Sequence, residues 1–113
     1  MKEIIYYTTI DGKCPYIDWR NNLSYNFQSR ISMRLLRLMN GNYGDCKRLK
    51  NSQLSELRFD FGKGYRIYFK ELDDVIILIV AGSDKSNQKN IIKKADEYLT
   101  EYLSRRTEND NKF

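Results

Sequence analysis

The side chains of this chain best suited to chemistry are Arg58, Arg66, Tyr68 and Lys85, carried by the stretch LSELRFDFGKGYRIYFKELDDVIILIVAGSDKSNQ from Leu54 to Gln88. Leu57, Phe59 and Phe61 occupy every second position, so Glu56, Arg58 and Asp60 must face the other way along an extended strand. Tyr65, Ile67 and Phe69 alternate in the same manner with Arg66, Tyr68 and Lys70. A tight turn at Gly62-Lys63-Gly64 lays the two outer rows side by side. The expectation is a single solvent-facing surface bearing Arg58, Arg66 and Tyr68. Two guanidinium groups held together with no obvious acid between them repel, and a phosphate is their natural guest. Lys85 follows the next apolar strand and precedes a helix start, where free backbone N–H groups add to the pull on an anion.

Each of these residues also has a plainer use. Arg58 and Arg66 can form a surface ladder with Glu56 and Asp60, worth at most about 1 kcal/mol per pair. Lys85 can be an ordinary loop lysine. Tyr68 is either a stacking platform for a base or part of a filled sheet surface. Lys47, Arg48 and Lys50 form a basic loop that is either simply solvated or a rail for a phosphate backbone. The glycines at 62 and 64 do not make a phosphate loop, because no helix follows them; they mark a hairpin.

Composition narrows the chemistry further. The 113 residues contain no histidine, which removes the usual general acid–base group and the usual metal ligand together. Any proton transfer must run on Lys, Arg, Tyr, Asp or Glu. Cys14 and Cys46 have no metal-ligand spacing and read as free thiols. Neither a metal nor another cofactor is expected. Lys and Arg number 20 against 15 Asp and Glu, a net charge of +5 that favours an anionic partner. The longest apolar run, Val75 to Ala81, is strand-length and no membrane span is expected. MKEIIYYTT enters an alternating strand rather than a signal peptide, so the cytoplasm is the default location.

The elements that must position these groups follow from periodicity. Residues 2–9 read as a strand, turning at Asp11-Gly12. A short helix over Tyr16 to Leu23 comes next, then a longer one capped by Ser24 or Asn22 and running to Met39. In the longer helix Phe27, Ile31, Leu35, Leu38 and Met39 recur at helical steps, with Gln28, Arg30, Arg34 and Arg37 on the wet side. After the basic loop come three strands; the third, Val75 to Val80, is apolar on both faces and reads as interior. A last helix buries Ile91, Ile92, Ala95, Tyr98, Leu99 and Tyr102. The order β-α-α-β-β-β-α describes an α+β fold with a three-stranded antiparallel meander at its heart. Two neighbouring helices cover one face, and the opposite face is expected to be partly open. Residues 1–104 read as one domain and 105–113 as a disordered tail.

The run from Tyr16 to Leu103 also resembles the HigB-type branch of the RelE/ParE toxin superfamily. The matching stretches are RISMRLLRLMNGNYGDCKRLK, LSELRFDFGKGYRIYF and VIILIVAGSDKSNQKNIIKKADEYL, with their ELR, GYR-x-YF and GxDKxxQ features in order. The resemblance implies a RelE-like toxin fold and a ribosome-dependent mRNA endoribonuclease that works without metal, the ribose 2′-OH attacking the adjacent phosphate. It implies an HTH (helix-turn-helix) antitoxin of the HigA kind as partner, beside the ribosome and message. By motif position it implies catalytic roles for Arg58, Arg66 and Lys85, and RNA contacts for Lys47, Arg48, Lys50, Tyr68 and Gln88. Many ribosome-dependent members carry a Tyr or His one turn into the last helix. Here that region reads Asn87-Gln88-Lys89-Asn90-Ile91, leaving a lysine, Glu56, Tyr68 or the ribosome itself to move the proton. That departure keeps a second reading open, a ParE-like inhibitor of DNA gyrase with no nuclease activity.

Overall fold

The computed structural model describes residues 1–111, with side chains through Thr107. Strand β1 (Glu3–Tyr6) leads into α1 (Pro15–Asn21) and α2 (Tyr25–Met39). Then come β2 (Cys46–Arg48), β3 (Ser55–Arg58), β4 (Arg66–Leu72), β5 (Ile76–Ser83) and α3 (Gln88–Asn111). The five strands form one sheet in the order β1-β5-β4-β3-β2. β1 runs parallel to β5 and every other neighbouring pair is antiparallel. The α+β class, the two paired helices, the central meander and the C-terminal helix are as the periodicity predicts.

Local chemistry explains the helix ends. Pro15 opens α1, where its fixed φ suits the first turn and its missing N–H costs nothing. Ser24 caps α2, its Oγ accepting from the Phe27 N–H at 3.3 Å. Gly41, at φ +88, takes the chain out of α2 in a conformation that a side chain would strain. In the 46–50 region the sequence predicts a loop, but Cys46–Arg48 pairs with β3 as an edge strand. Three residues are too few to show alternation, and exposed Lys47 and Arg48 are what a protected sheet edge carries.

The sheet separates two cores. On one face Tyr16 of α1 and Ile31, Leu35 and Leu38 of α2 pack on Leu57, Ile67, Phe69, Ile77 and Ile79. On the other, Ala95 and Leu99 of α3 pack on Tyr68, Leu72, Leu78 and Val80, with Tyr7 and Leu54. The expectation of a partly open second face therefore fails along its centre, because α3 lies across it. The reason is visible in β5: a strand apolar on both faces demands cover on both. Order also continues past Leu103, since α3 runs to Asn111; Arg105 donates to the Thr8 carbonyl at 2.8 Å and pairs with Glu101. Residues 112–113 of the expected tail lie outside the described residues. Among the described residues no helix is long and apolar enough to cross a membrane.

Candidate functional site

The β3–β4 hairpin places Arg58 directly opposite Arg66, and Glu56 opposite Tyr68, on the face that α3 covers. Lys47 of β2 sits opposite Glu56, and Ser83 of β5 opposite Arg66. Arg58, Arg66 and Tyr68 do share one face as expected, but the surroundings of each side chain differ from those of an open cationic surface.

Tyr68 does not emerge. It is fully buried, and its hydroxyl shares a 2.8 Å hydrogen bond with Ser83 Oγ. Burial pushes its phenol up to about 12. A ring enclosed by α3 and the sheet offers no face to a base, so the stacking platform is corrected to a core residue. Glu56, expected to face solvent, is 1% exposed. Its Oε1 lies 3.7 Å from Arg66 Nε, and its Oε2 accepts from Gln88 Nε2 at 3.0 Å. Gln88, in the first turn of α3, thus holds the carboxylate from above while Arg66 flanks it.

Arg66 is the unusual member of this group. Its side chain is 14% exposed, yet its Nε has no hydrogen-bond partner among the described residues. Its Nη1 reaches only the Gly64 and Tyr65 carbonyls, both at 3.4 Å. A guanidinium presents five N–H donors, and here they are poorly used. The Glu56 carboxylate flanks the guanidinium, and the unpartnered Nε is itself shut off from solvent, which leaves only the Nη edge to meet an incoming oxyanion.

Lys85 is brought beside Arg66 by the hairpin. The Lys85 N–H donates to the Lys63 carbonyl at 3.1 Å. Gly64 sits at φ +71, and a Cβ there would lie 3.3 Å from Lys85 Cβ and 4.0 Å from Arg66 Nη1. The absence of a side chain at position 64 is what lets the Lys85 stem and the Arg66 guanidinium both approach this turn. The expected pull of a bare helix N-terminus is reduced, because Asp84 Oδ1 accepts from Ser86 Oγ and from the Ser86 and Asn87 N–H groups. These bonds, the Ser86 hydroxyl foremost, hold the Asp84 carboxyl below its usual range.

Arg58 turns outward to Asp45, its Nε and Nη2 donating to Oδ1 at 3.1 and 3.0 Å. Each arginine of the predicted pair therefore has its own carboxylate, contrary to the expectation of two unpartnered cations. Asp45 and Glu56 are the site residues that sequence reasoning undervalued. Asp45 stands in the turn before β2, and that edge strand brings it against Arg58. Of the basic stretch, only Lys47 shares the row of Glu56. Arg48, two residues from the core-packed Cys46, is on the other face, and Lys50 is exposed in the following turn. The three do not line up as one rail.

No protein-family model matches the chain. Its fold is similar to that of a chain in the intact E. coli RelBE toxin–antitoxin complex, with a TM-score of 0.53 over 74% of this chain and 94% of that one at 9% identity. An uncharacterized protein of Haemophilus influenzae is 43% identical over 68 residues, which are 60% of this chain and 68% of that protein. This chain, with its RelE-like fold, belongs to the same family as that Haemophilus influenzae protein.

Proposed function

We propose that the chain is the toxin of a toxin–antitoxin pair and a metal-independent endoribonuclease that cuts message on the translating ribosome. The single observation behind this reading is the Arg66 guanidinium: nearly buried, fixed against Glu56, with most of its donor fork unused. In the proposed reaction Arg66 grips the non-bridging oxygens of the scissile phosphate, and drawing it outward uncovers Glu56. The Glu56 carboxylate takes the proton from the ribose 2′-OH, whose oxygen forms the new bond to phosphorus. The bond from phosphorus to the 5′-oxygen breaks, leaving a 2′,3′-cyclic phosphate, and the Lys85 ammonium gives the departing oxygen the proton that makes it a 5′-hydroxyl. Gln88 keeps the second carboxylate oxygen in register, and the Arg58–Asp45 pair borders the next phosphate. Cations preorganised around the phosphorane supply the charge stabilisation.

An HTH antitoxin of the HigA kind, the ribosome and a cytoplasmic setting complete this reading. Sequencing the adjacent open reading frame tests the antitoxin directly. The test of the activity is message mapping after brief expression. Wild type is expected to cut within reading frames, and Arg66→Ala to lose about 10²–10³-fold in cleavage rate with the fold preserved but the thermal melt lowered, because the buried Glu56 carboxylate loses its cation. Intact message under wild type, or wild-type cutting by Arg66→Ala, overturns the assignment. One observation favours the gyrase-inhibitor reading: both central arginines are paired with carboxylates, which lowers the net positive charge of the site. A DNA-damage response with intact message is the outcome that selects it.

A further inference from the structure

A second cationic surface lies on α2, across β3 from the site described above. Arg30, Arg34 and Arg37 recur at steps of four and three, the spacing that puts side chains on one helical face. The 15 residues of α2 include no Asp or Glu, so nothing within the helix offsets this row. None of the ion pairs among the described residues involves these three arginines. Asp60 borders the same cleft of about 330 Å³ and pairs with none of them.

What fixes the row is neutral. The Arg34 guanidinium donates to the carbonyls of Arg58, Tyr43 and Asp45 at 2.9, 3.3 and 3.0 Å. It also lies 5.1 Å from the Phe59 ring centroid. Arg30 lies over the Phe61 ring at 3.9 Å, and Phe61 is in turn stacked on Phe27 at 5.2 Å. Carbonyls and rings orient a guanidinium while leaving its charge uncompensated, whereas a carboxylate would cancel it. Holding three like charges along one helix opposes folding unless a polyanion uses them.

We propose that this arginine row is an RNA-binding surface separate from the cleavage site, which grips the phosphodiester backbone and stacks a base on the outer plane of Arg30. An acidic peptide also complements the charge, but the layered Phe27–Phe61–Arg30 stack is the kind of platform on which unpaired bases pile. Arg34 is tied to the main chain of Arg58, so an RNA held on α2 is registered against β3. The inference rests on the nuclease reading only for its choice of RNA as the polyanion.

The test is titration of labelled 2′-O-methyl RNA, which cannot be cut through its blocked 2′-oxygen, across a range of KCl. The proteins are wild type, Arg30→Ala/Arg37→Ala, Arg30→Lys/Arg37→Lys and Arg66→Ala. Both α2 positions are exposed, so the variants are expected to fold. Arg37 grips phosphate and Arg30 adds its charge beneath the stacked base, so removing both reduces the slope of log K against log salt by about 0.7 to 1.4. The alanine pair is expected to show that drop, while the lysine pair retains the slope and Arg66→Ala keeps the α2 contribution. Unchanged slope and affinity in the alanine pair overturn the proposal. So does a variant that loses binding to polyglutamate but not to RNA, which assigns the row to an acidic protein. If wild type binds with the α2-dependent slope yet leaves ribosome-bound message intact, the nuclease reading fails and the RNA-binding row stands.

Discussion

Glu56 is the least hydrated charged group of the site, and two roles for it make different predictions. As proton acceptor it must be ionised at the moment of attack; as a strut it only has to hold Arg66. Glu56→Gln keeps the shape and a hydrogen bond to Gln88 while removing the charge. If Glu56 takes the 2′-OH proton, the cleavage rate falls about 10²–10⁴-fold and affinity for uncleavable RNA is kept or tightened. Weakened RNA binding with a retained single-turnover rate reduces Glu56 to a strut. Tyr68 is the contrasting case. Tyr68→Phe strands Ser83 Oγ in the core and is expected to cost about 1 kcal/mol in a urea melt, with cleavage unaffected. A loss of cleavage by Tyr68→Phe at full stability contradicts its placement as a core residue.

Between elements, the closest fit joins α1 to β5. Gly82 pairs with Ile67 in the sheet, and the Trp19 indole lies directly over it. A Cβ at position 82 would sit 2.2 Å from Trp19 Cε3, closer than any packed pair tolerates. Gly82→Ala must push α1 off the sheet, and an overpacked core site loses about 1–3 kcal/mol. A Gly82→Ala protein with a wild-type urea midpoint would show that Trp19 moves freely aside. This contact also marks a limit of reading by pattern. Gly82 looks like a strand end in the sequence, and only the crossing of α1 reveals why no side chain fits. Alternation in β3 and β4 was enough to put Arg58 and Arg66 on one face, because a one-residue slip would turn either row into the core; that they stand directly opposite is set by the turn between the strands. The same alternation assigns Glu56 and Tyr68 to a face without saying what covers it. That information resides in α3, distant in sequence, whose apolar stripe was legible but whose docking side was not. β2 was hidden for a different reason: Asp45, Lys47 and Arg48 look solvated, and only pairing with β3 makes them a strand edge.

Across the whole molecule, the two cores share a dependence on neutral tyrosines. Tyr7, Tyr16 and Tyr68 are each no more than 2% exposed. Burial raises the phenol of all three above its ordinary value near 10; Tyr7 and Tyr68 are pushed up to about 12, Tyr7 with help from its bond to Glu101. Tyr16 is raised further, chiefly by its burial. The folded state holds these protons more tightly than the unfolded chain does. Their contribution to stability is therefore complete below about pH 10 and is lost as pH rises through the folded values near 12. On the acid side the sign is reversed. The carboxyl of Glu71 is lowered chiefly by the Tyr43 hydroxyl and that of Glu101 by the Tyr7 hydroxyl, so what they contribute is lost as pH falls below the ordinary glutamate range. Urea midpoints are expected to be flat from about pH 6 to about pH 9 and then to fall steeply above about pH 10. Tyr68→Phe, which removes one titrating phenol from the second core, should lower the starting midpoint slightly and make the alkaline fall shallower. A midpoint that holds to about pH 12 in wild type, or an equally steep fall in Tyr68→Phe, would show that the buried phenols do not set the alkaline limit of this fold.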